Sequence, residues 1–295
     1  MRVTMSQLDE RIRSLETLWS DCRVCARDCG VNRLEGETGV CGLGRDIHIY
    51  KEHVHYGEEA CVVPSHTVYL TGCSFRCLFC SDDGAVHNPK QGVTLSPEAL
   101  AALIERRRME GARNVHFVGG EPSVNALGIL EALRRCPPET HVVWNTNAYH
   151  TPALFGILSG VVDTWIADLK FGSDACGRLA GITDHARVVH RAIGALEADP
   201  GALIVRHLVM PGHVDCCTAP ALSWLAAHAP RAIVNVMTGW LPLARARLDP
   251  ILGSRLGRED RDRALALFAH APLERRMVDG KWWSAPLDSA ARLNG

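Results

Sequence analysis

The chain has 295 residues, 47% of them apolar, enough to bury one large core and too apolar for extensive disorder. Lys and Arg total 32 against 33 Asp and Glu, a formal charge of −1, which argues against a broad electrostatic surface for nucleic acid or anionic membrane. No apolar run approaches the roughly 18–20 residues needed to span a bilayer, and the first twenty residues interleave charges without a signal-peptide core, so a cytoplasmic protein is expected.

An amphipathic helix is expected over 6–18. A cysteine- and glycine-rich stretch follows from Cys22 to Gly44. It has little apolar area to bury, so it should fold around a metal or pack on the main body. From residue 67 the pattern becomes periodic, with β-rich runs at 67–71 (TVYLT), 114–118 (NVHFV), 142–145 (VVWN), 163–168 (DTWIAD), 203–209 (LIVRHLV) and 232–236 (AIVNV). Helical patterns lie between them over 96–110, 123–135, 183–197 and 219–229, the first opening on a capping serine with proline at the first helical position, Ser96-Pro97-Glu98. Six βα units imply an α/β fold with right-handed crossovers, too few for a closed eight-unit barrel. The expected architecture is a partial (βα)6 TIM-like barrel over 63–295 with an apolar tail (Lys281-Trp282-Trp283). It is preceded by an N-terminal helix and cysteine-rich metal-binding extension over 1–62. A doubly wound open sheet is the alternative.

Twelve cysteines stand out in a chain expected in a reducing compartment, and seven fall into two tight local groups, the pattern of metal ligation rather than of disulfides. After the first barrel strand comes TGCSFRCLFC, with Cys73, Cys77 and Cys80 spaced C-x3-C-x2-C. Three thiolates in one loop can hold three irons of a [4Fe-4S] cluster and leave the fourth iron open for an exchangeable ligand. Zinc is the alternative, with His87 as a fourth ligand. The second group, Cys22, Cys25, Cys29 and Cys41, suits either zinc or an auxiliary iron–sulfur cluster, or four reduced, partly buried thiols.

The C-x3-C-x2-C loop, with Phe79 before its last cysteine, resembles the radical S-adenosylmethionine (SAM) enzymes. More narrowly, the phrases CRVCARDCGVNRLEGETGVCGLG, VGGEP, NTNAY, DLK and VRHLVMPG resemble the branch of pyruvate formate-lyase activating enzyme and its relatives. The resemblance implies that the open iron binds SAM and that reductive cleavage starts radical chemistry on a substrate, with an electron donor such as flavodoxin or ferredoxin. By the same resemblance Gly119, Gly120 and Glu121 hold the SAM amino group, and Asn145 and Asn147 contact SAM after the third strand. Asp168, Lys170 and Arg206 organise its site, although an Asp168–Arg206 ion pair inside the barrel would also explain two of them. Asn145 stands where the family has an acid or serine, Ala148 where it has glycine, and Ser81-Asp82-Asp83-Gly84 and VMTGWLP (Trp240) also depart from the relatives.

The implied substrate is a glycine of a partner protein, activated to a glycyl radical; a peptide or small molecule, including transfer of another SAM fragment, is the alternative. A non-enzymatic iron–sulfur electron carrier would explain the cysteines but not the motifs at the strand ends. Vicinal Cys216 and Cys217 can bind soft metals or metalloids, form a redox pair, or simply pack in a loop. Cys61, Cys136 and Cys176 read as isolated packing residues, His207 and His213 as the histidines nearest the barrel mouth, and Arg106–Arg108 as a solvated helix face.

Overall fold

The structure, a computed structural model, describes residues 1–283. The chain opens with helix α1 (Met5–Ser20), started by a capping box in which Thr4 and Gln7 exchange side-chain and backbone hydrogen bonds. After the cysteine-rich stretch come β1 (Ile47–His55) and β2 (Ser65–Leu70), then short α2 (Asp83–Val86), β3 (Val93–Leu95) and α3 (Pro97–Met109). The expected Ser96 cap is present, its hydroxyl accepting from the Ala99 amide at 3.2 Å. Alternation continues through β4 (Val115–Gly119), α4 (Ala126–Leu133), β5 (Val142–Thr146), α5 (Pro152–Leu158) and β6 (Thr164–Asp168). It closes with α6 (Asp174–Gly177), α7 (His185–Ala198), β7 (Ala202–Leu208), α8 (Ala219–His228), β8 (Ile233–Met237), α9 (Arg258–His270), β9 (Arg275–Val278) and β10 (Lys281–Trp282).

All strands join one sheet in the order β10-β9-β8-β7-β6-β5-β4-β2-β1-β3. From β2 to β9 every neighbouring pair is parallel, and β1, β3 and β10 add antiparallel edges. The six expected parallel strands are present as β2, β4, β5, β6, β7 and β8, and β9 adds a seventh in parallel register, beyond the six-unit expectation. Its sequence, RRMV, is four residues long and half charged, too short to show a period.

Strand alternation sorts the side chains. On one face Phe117, Trp144 and Trp165 pack edge to face under the helices, ring centroids 5.8 and 6.4 Å apart. Burying a tryptophan of this size contributes about 4–6 kcal/mol of transfer free energy. On the other face Val143, Ile166, Ile204, Ile233 and Met277, capped by Val62, form a separate apolar floor. Two residues further along the same strands stand Asn145, Asp168, Arg206 and Asn235, so a polar layer lies directly above that floor, toward the C-terminal strand ends.

Residues 1–62 share the main core: Leu8, Leu15 and Trp19 of α1 join the cluster that holds the barrel tryptophans, and β1 pairs with β2. Of the tail, Lys281 and Trp282 form β10 and Trp283 stacks on Phe268 at 5.2 Å.

Candidate active site

The loop after β2 turns at Gly72, whose φ of +78° is open to glycine and whose missing Cβ leaves room for Leu43. Cys73, Cys77 and Cys80 follow, and hydrogen bonds from every side hold this loop in place. Arg76 and Leu78 amides donate to the Ala180 and Leu179 carbonyls at 2.9 and 2.7 Å, and Arg27 Nε donates to the Ser74 carbonyl at 2.8 Å. An aromatic shell surrounds it: Phe75 against Tyr149 and His185, and Phe79 against Phe171 and Trp240. Burial first pushes all three thiols up, Cys77 to about 11, where Lys170 partly opposes the rise.

The three cysteines line a cavity of about 420 Å³ at the C-terminal ends of the strands. Gly119, Gly120, Asn145, Asn147, Asp168, Lys170 and Arg206 share its wall, with Leu208, Met210, Met237, Trp240, Leu241 and Leu243 on the apolar side. Asn147 is the junction: its Nδ2 donates to Ser74 Oγ at 3.1 Å and faces Cys73 Sγ at 3.7 Å. Lys170 Nζ bonds Asp168 at 2.6 Å. Burial alone would lower the Lys170 pKa, yet Asp168 and the sulfurs of Cys77 and Cys73 outweigh it and hold the ammonium charged.

Glu121 lies apart from the cavity wall. Its buried carboxylate accepts from the Ser123 amide (3.0 Å), Thr146 Oγ1 (2.8 Å) and the Asn147 amide (2.8 Å). Burial raises its pKa, and those three donors oppose the rise. It clamps the turn after β4 to the end of β5 and so fixes Asn147. Gly120 is required by backbone packing: a Cβ there would sit 2.0 Å from the Gly72 carbonyl.

Arg206 reaches the cavity with its charge already matched. It forks onto Glu59 through two 2.7 Å bonds and also pairs with Glu58, while Asn235 donates to Glu59 at 2.8 Å. Burial would raise Glu59, but Arg206 and Asn235 hold it down at about 2. The Asp168–Arg206 ion pair weighed from sequence does not form, because each partner is taken by another residue. Glu58 and Glu59 were missed; their only sequence signal is an acidic pair in the β1–β2 connection. His87 is engaged as well: one ring nitrogen faces the Asp83 carboxylate at 2.9 Å and the other the Phe75 carbonyl at 3.1 Å, so both are turned to protein oxygens. His207 is a satisfied core histidine bonded to the Leu169 carbonyl and Thr218.

Cys22, Cys25, Cys29 and Cys41 come together beside this loop, docked through the Ala26 and Thr151 amides onto the segment after β5. Burial pushes Cys25 up to about 12, with Cys41, Cys22 and Cys29 adding to the rise. Gly39 leaves space for Cys29, whose sulfur would lie 2.8 Å from a Cβ there. Arg33 is buried beneath Trp19, 4.4 Å from its ring, and bonds the Leu43, Gly44 and Val124 carbonyls. Its Nη1 has no protein partner, and among the described residues no carboxylate pairs with it. Cys22 lies close enough for Arg33 to lower its pKa, although burial dominates and raises it.

Residues 67–225 match the model of the radical SAM superfamily, and the chain belongs to that superfamily. An uncharacterised protein of Methanocaldococcus jannaschii is 35% identical over 267 residues, covering 88% of this chain and 78% of that one. A GTP 3′,8-cyclase of Pseudomonas syringae pv. syringae is 32% identical over 77 residues, 25% of this chain and 23% of its own. Among solved structures, Streptococcus suis SuiB bound to S-adenosylmethionine has a TM-score of 0.49 at 12% identity, covering 70% of this chain and 48% of that one. SuiB bound to the precursor peptide SuiA has the same TM-score at 11% identity, covering 70% and 46%. The chain thus spans less than half the length of these structures. Membership implies a [4Fe-4S] cluster and SAM, and no helix among the described residues is long and apolar enough to cross a membrane.

Proposed function

We propose that this enzyme binds a [4Fe-4S] cluster through Cys73, Cys77 and Cys80 and cleaves SAM reductively to start radical chemistry on a substrate. The observation carrying the reading is that one cavity gathers these three thiols with Asn145, Asn147, Asp168 and Lys170. The donor set fits the cluster. Thiolates sharing a tetrahedral zinc at 2.3 Å lie about 3.8 Å apart, yet no three sulfurs of either cysteine group converge within 4.8 Å among the described residues. The wider spread suits a larger, multi-iron group. The same argument favours an auxiliary iron–sulfur cluster over zinc at Cys22, Cys25, Cys29 and Cys41, and its negative thiolates supply the anion that buried Arg33 otherwise lacks.

When bound and reduced, such a cluster supplies the electron that breaks a sulfonium carbon–sulfur bond of SAM. Around it the chain provides the positioning. Lys170 and Asp168 offer a charged pair for the amino-acid end of the ligand, Asn147 holds the cysteine loop on β5, and Phe79, Trp240 and Met210 exclude water. Twelve unpaired cysteines suit a reducing cytoplasm, where flavodoxin or ferredoxin would act as donor.

For the substrate, the reading is glycyl-radical activation of a partner protein. Trp240, Leu241 and Leu243 line one side of the cavity, and Leu241 is exposed together with Leu248 and Ile251 further along the same segment, side chains a docked polypeptide would cover. The second reading, a small molecule, rests on the cavity volume, which falls within the range of small-ligand sites.

The test is product analysis after anaerobic cluster loading, reduction and incubation with SAM. We expect 5′-deoxyadenosine from the wild type, none from Cys73→Ala, and at least a tenfold lower yield from Lys170→Ala. Methylthioadenosine in its place would redirect the reading to transfer of another SAM fragment. A loaded cluster that neither binds nor cleaves SAM would leave an electron carrier. Stimulation by a glycyl-radical protein, with loss of activity in Leu241→Glu, separates the polypeptide reading from the small-molecule one.

A further inference from the structure

Cys176, His213 and Cys216 form a second concentration of donor atoms that the proposed reaction does not use. Among the described residues they are the one group of three such side chains whose ligand atoms all lie within 4.8 Å of one another. Sequence gives no hint of the pairing, since Cys176 sits in the short helix α6 after β6 and the other two after β7. The fold joins them because the chain leaves β7 through a π-helical turn, Val214–Thr218, which rotates Cys216 toward Cys176. Turns of this kind recur at functional sites.

The geometry has the dimensions of a metal site. Cys176 Sγ and Cys216 Sγ are 3.7 Å apart. That is far beyond a disulfide bond of about 2.05 Å and close to the roughly 3.8 Å edge between two thiolates on one tetrahedral zinc. His213 Nδ1 lies 2.8 Å from the Pro211 carbonyl, which can only accept, so Nδ1 carries the proton and Nε2 keeps its lone pair. A metal-ligating histidine is oriented in this way, its other nitrogen donating to a backbone carbonyl. Cys216 is exposed, His213 half-buried and Cys176 buried, which gives an ion a path in. Cys217 also neighbours the Cys176 thiol, but it is not one of the three donors that converge, and its sulfur takes the Gly172 amide at 3.2 Å and faces the Lys170 carbonyl at 3.7 Å.

We propose that Cys176, Cys216 and His213 bind one zinc-class divalent cation, with the fourth position open. Two sulfurs and one imidazole are a borderline-soft donor set, which zinc fills in tetrahedral form. The ion ties the loop that follows β6, carrying Lys170, to the turn that follows β7. It thereby stiffens one wall of the cavity from outside.

The experiment uses the full chain, purified anaerobically with its iron in place, and Zn²⁺ in competition with a chromophoric chelator. Zinc and iron contents are read in parallel by mass spectrometry. Cys216→Ser and His213→Ala change exposed and half-exposed side chains, and each is expected to weaken zinc binding at least tenfold with iron unchanged. Zinc-edge absorption should show two sulfurs and one nitrogen from the protein in the wild type, and no protein nitrogen in His213→Ala. Cys61→Ser, an exposed cysteine elsewhere, should keep full affinity. Equal zinc in wild type and both variants, no zinc at all, a fall in iron instead of zinc, or a native Cys176–Cys216 disulfide in peptide mapping would each overturn the proposal.

Discussion

Ala148 lies in the left-handed region at φ +56°, buried at the end of β5, one residue beyond Asn147. Its amide bonds Thr146 Oγ1 at 3.0 Å, and the next amide, of Tyr149, bonds Asn147 Oδ1 at 2.9 Å, so the turn is held by its own side chains. The conformation explains why glycine is the expected residue here. Left-handed backbone costs an L-residue roughly 1–2 kcal/mol. Replacing alanine by glycine returns that energy, but it gives up about 0.8 kcal/mol of methyl burial and about 0.4–1 kcal/mol through the unfolded chain. The terms nearly cancel. Ala148→Gly is therefore expected to unfold in urea within about 1 kcal/mol of the wild type. Ala148→Val, β-branched at positive φ in a filled site, should lose about 2 kcal/mol or more.

At the scale of elements, the N-terminal cysteine turn and the barrel's cysteine loop lean on each other. Arg27 bonds the Ser74 carbonyl, Arg76 bonds the Val40 carbonyl, and Arg33 knits the far side of the turn to the loop before α4. Removing the Arg33 guanidinium leaves three buried carbonyls without donors, at about 1–3 kcal/mol each. Arg33→Met is thus expected to lower stability by at least about 3 kcal/mol. With two four-iron clusters it should also drop iron from about eight toward four per chain, while 5′-deoxyadenosine formation at the Cys73 loop survives. Iron and sulfide assays beside thermal melts check both outcomes; iron that stays unchanged would remove Arg33 from the support of that site. Elements with long periodic patterns were legible in the sequence: α1, α3, α7, α8 and six parallel strands lie where apolar spacing puts them. What stayed hidden depends on distant contacts. β1 reads IHIYKEHVH, whose charges conceal a strand that pairs through its backbone with β2. The carboxylates that hold Arg206 lie 147 and 148 residues earlier in the chain, and Cys176 meets Cys216 across 40. The two local cysteine groups were visible because their members are close in sequence; the partners that hold Glu121 and Arg206 were not, because those are set by which neighbours the fold supplies.

Over the whole molecule, the interior holds several histidines in their neutral form. Burial drives His66, His116 and His150 down to about 4 and His185 to about 3. His116, His150 and His185 have no hydrogen-bond partner on either ring nitrogen among the described residues, and His185 packs between Phe75 and Phe171 behind the cysteine loop. The unfolded chain protonates such a group near pH 6.5, the folded chain only near 4 or below. Between those values the unfolded state binds more protons, so stability rises with pH and is lost as pH falls from about 6.5 toward 4. Below that the folded histidines titrate too, and their contribution levels off. One group shifted by two to three pH units is worth about 3–4 kcal/mol, so a few together compete with the whole stability of a domain. Glu59, held at about 2, acts in the same direction but lower, its contribution fading as pH drops from about 4.5 toward 2. We therefore expect urea midpoints to fall steeply between pH 6.5 and 4.5. His185→Phe should flatten that slope by about one proton, because the aromatic pocket accepts a ring that cannot charge. Midpoints that do not move over this range in the wild type, or a slope unchanged in His185→Phe, would mean that these rings reach solvent before the chain unfolds.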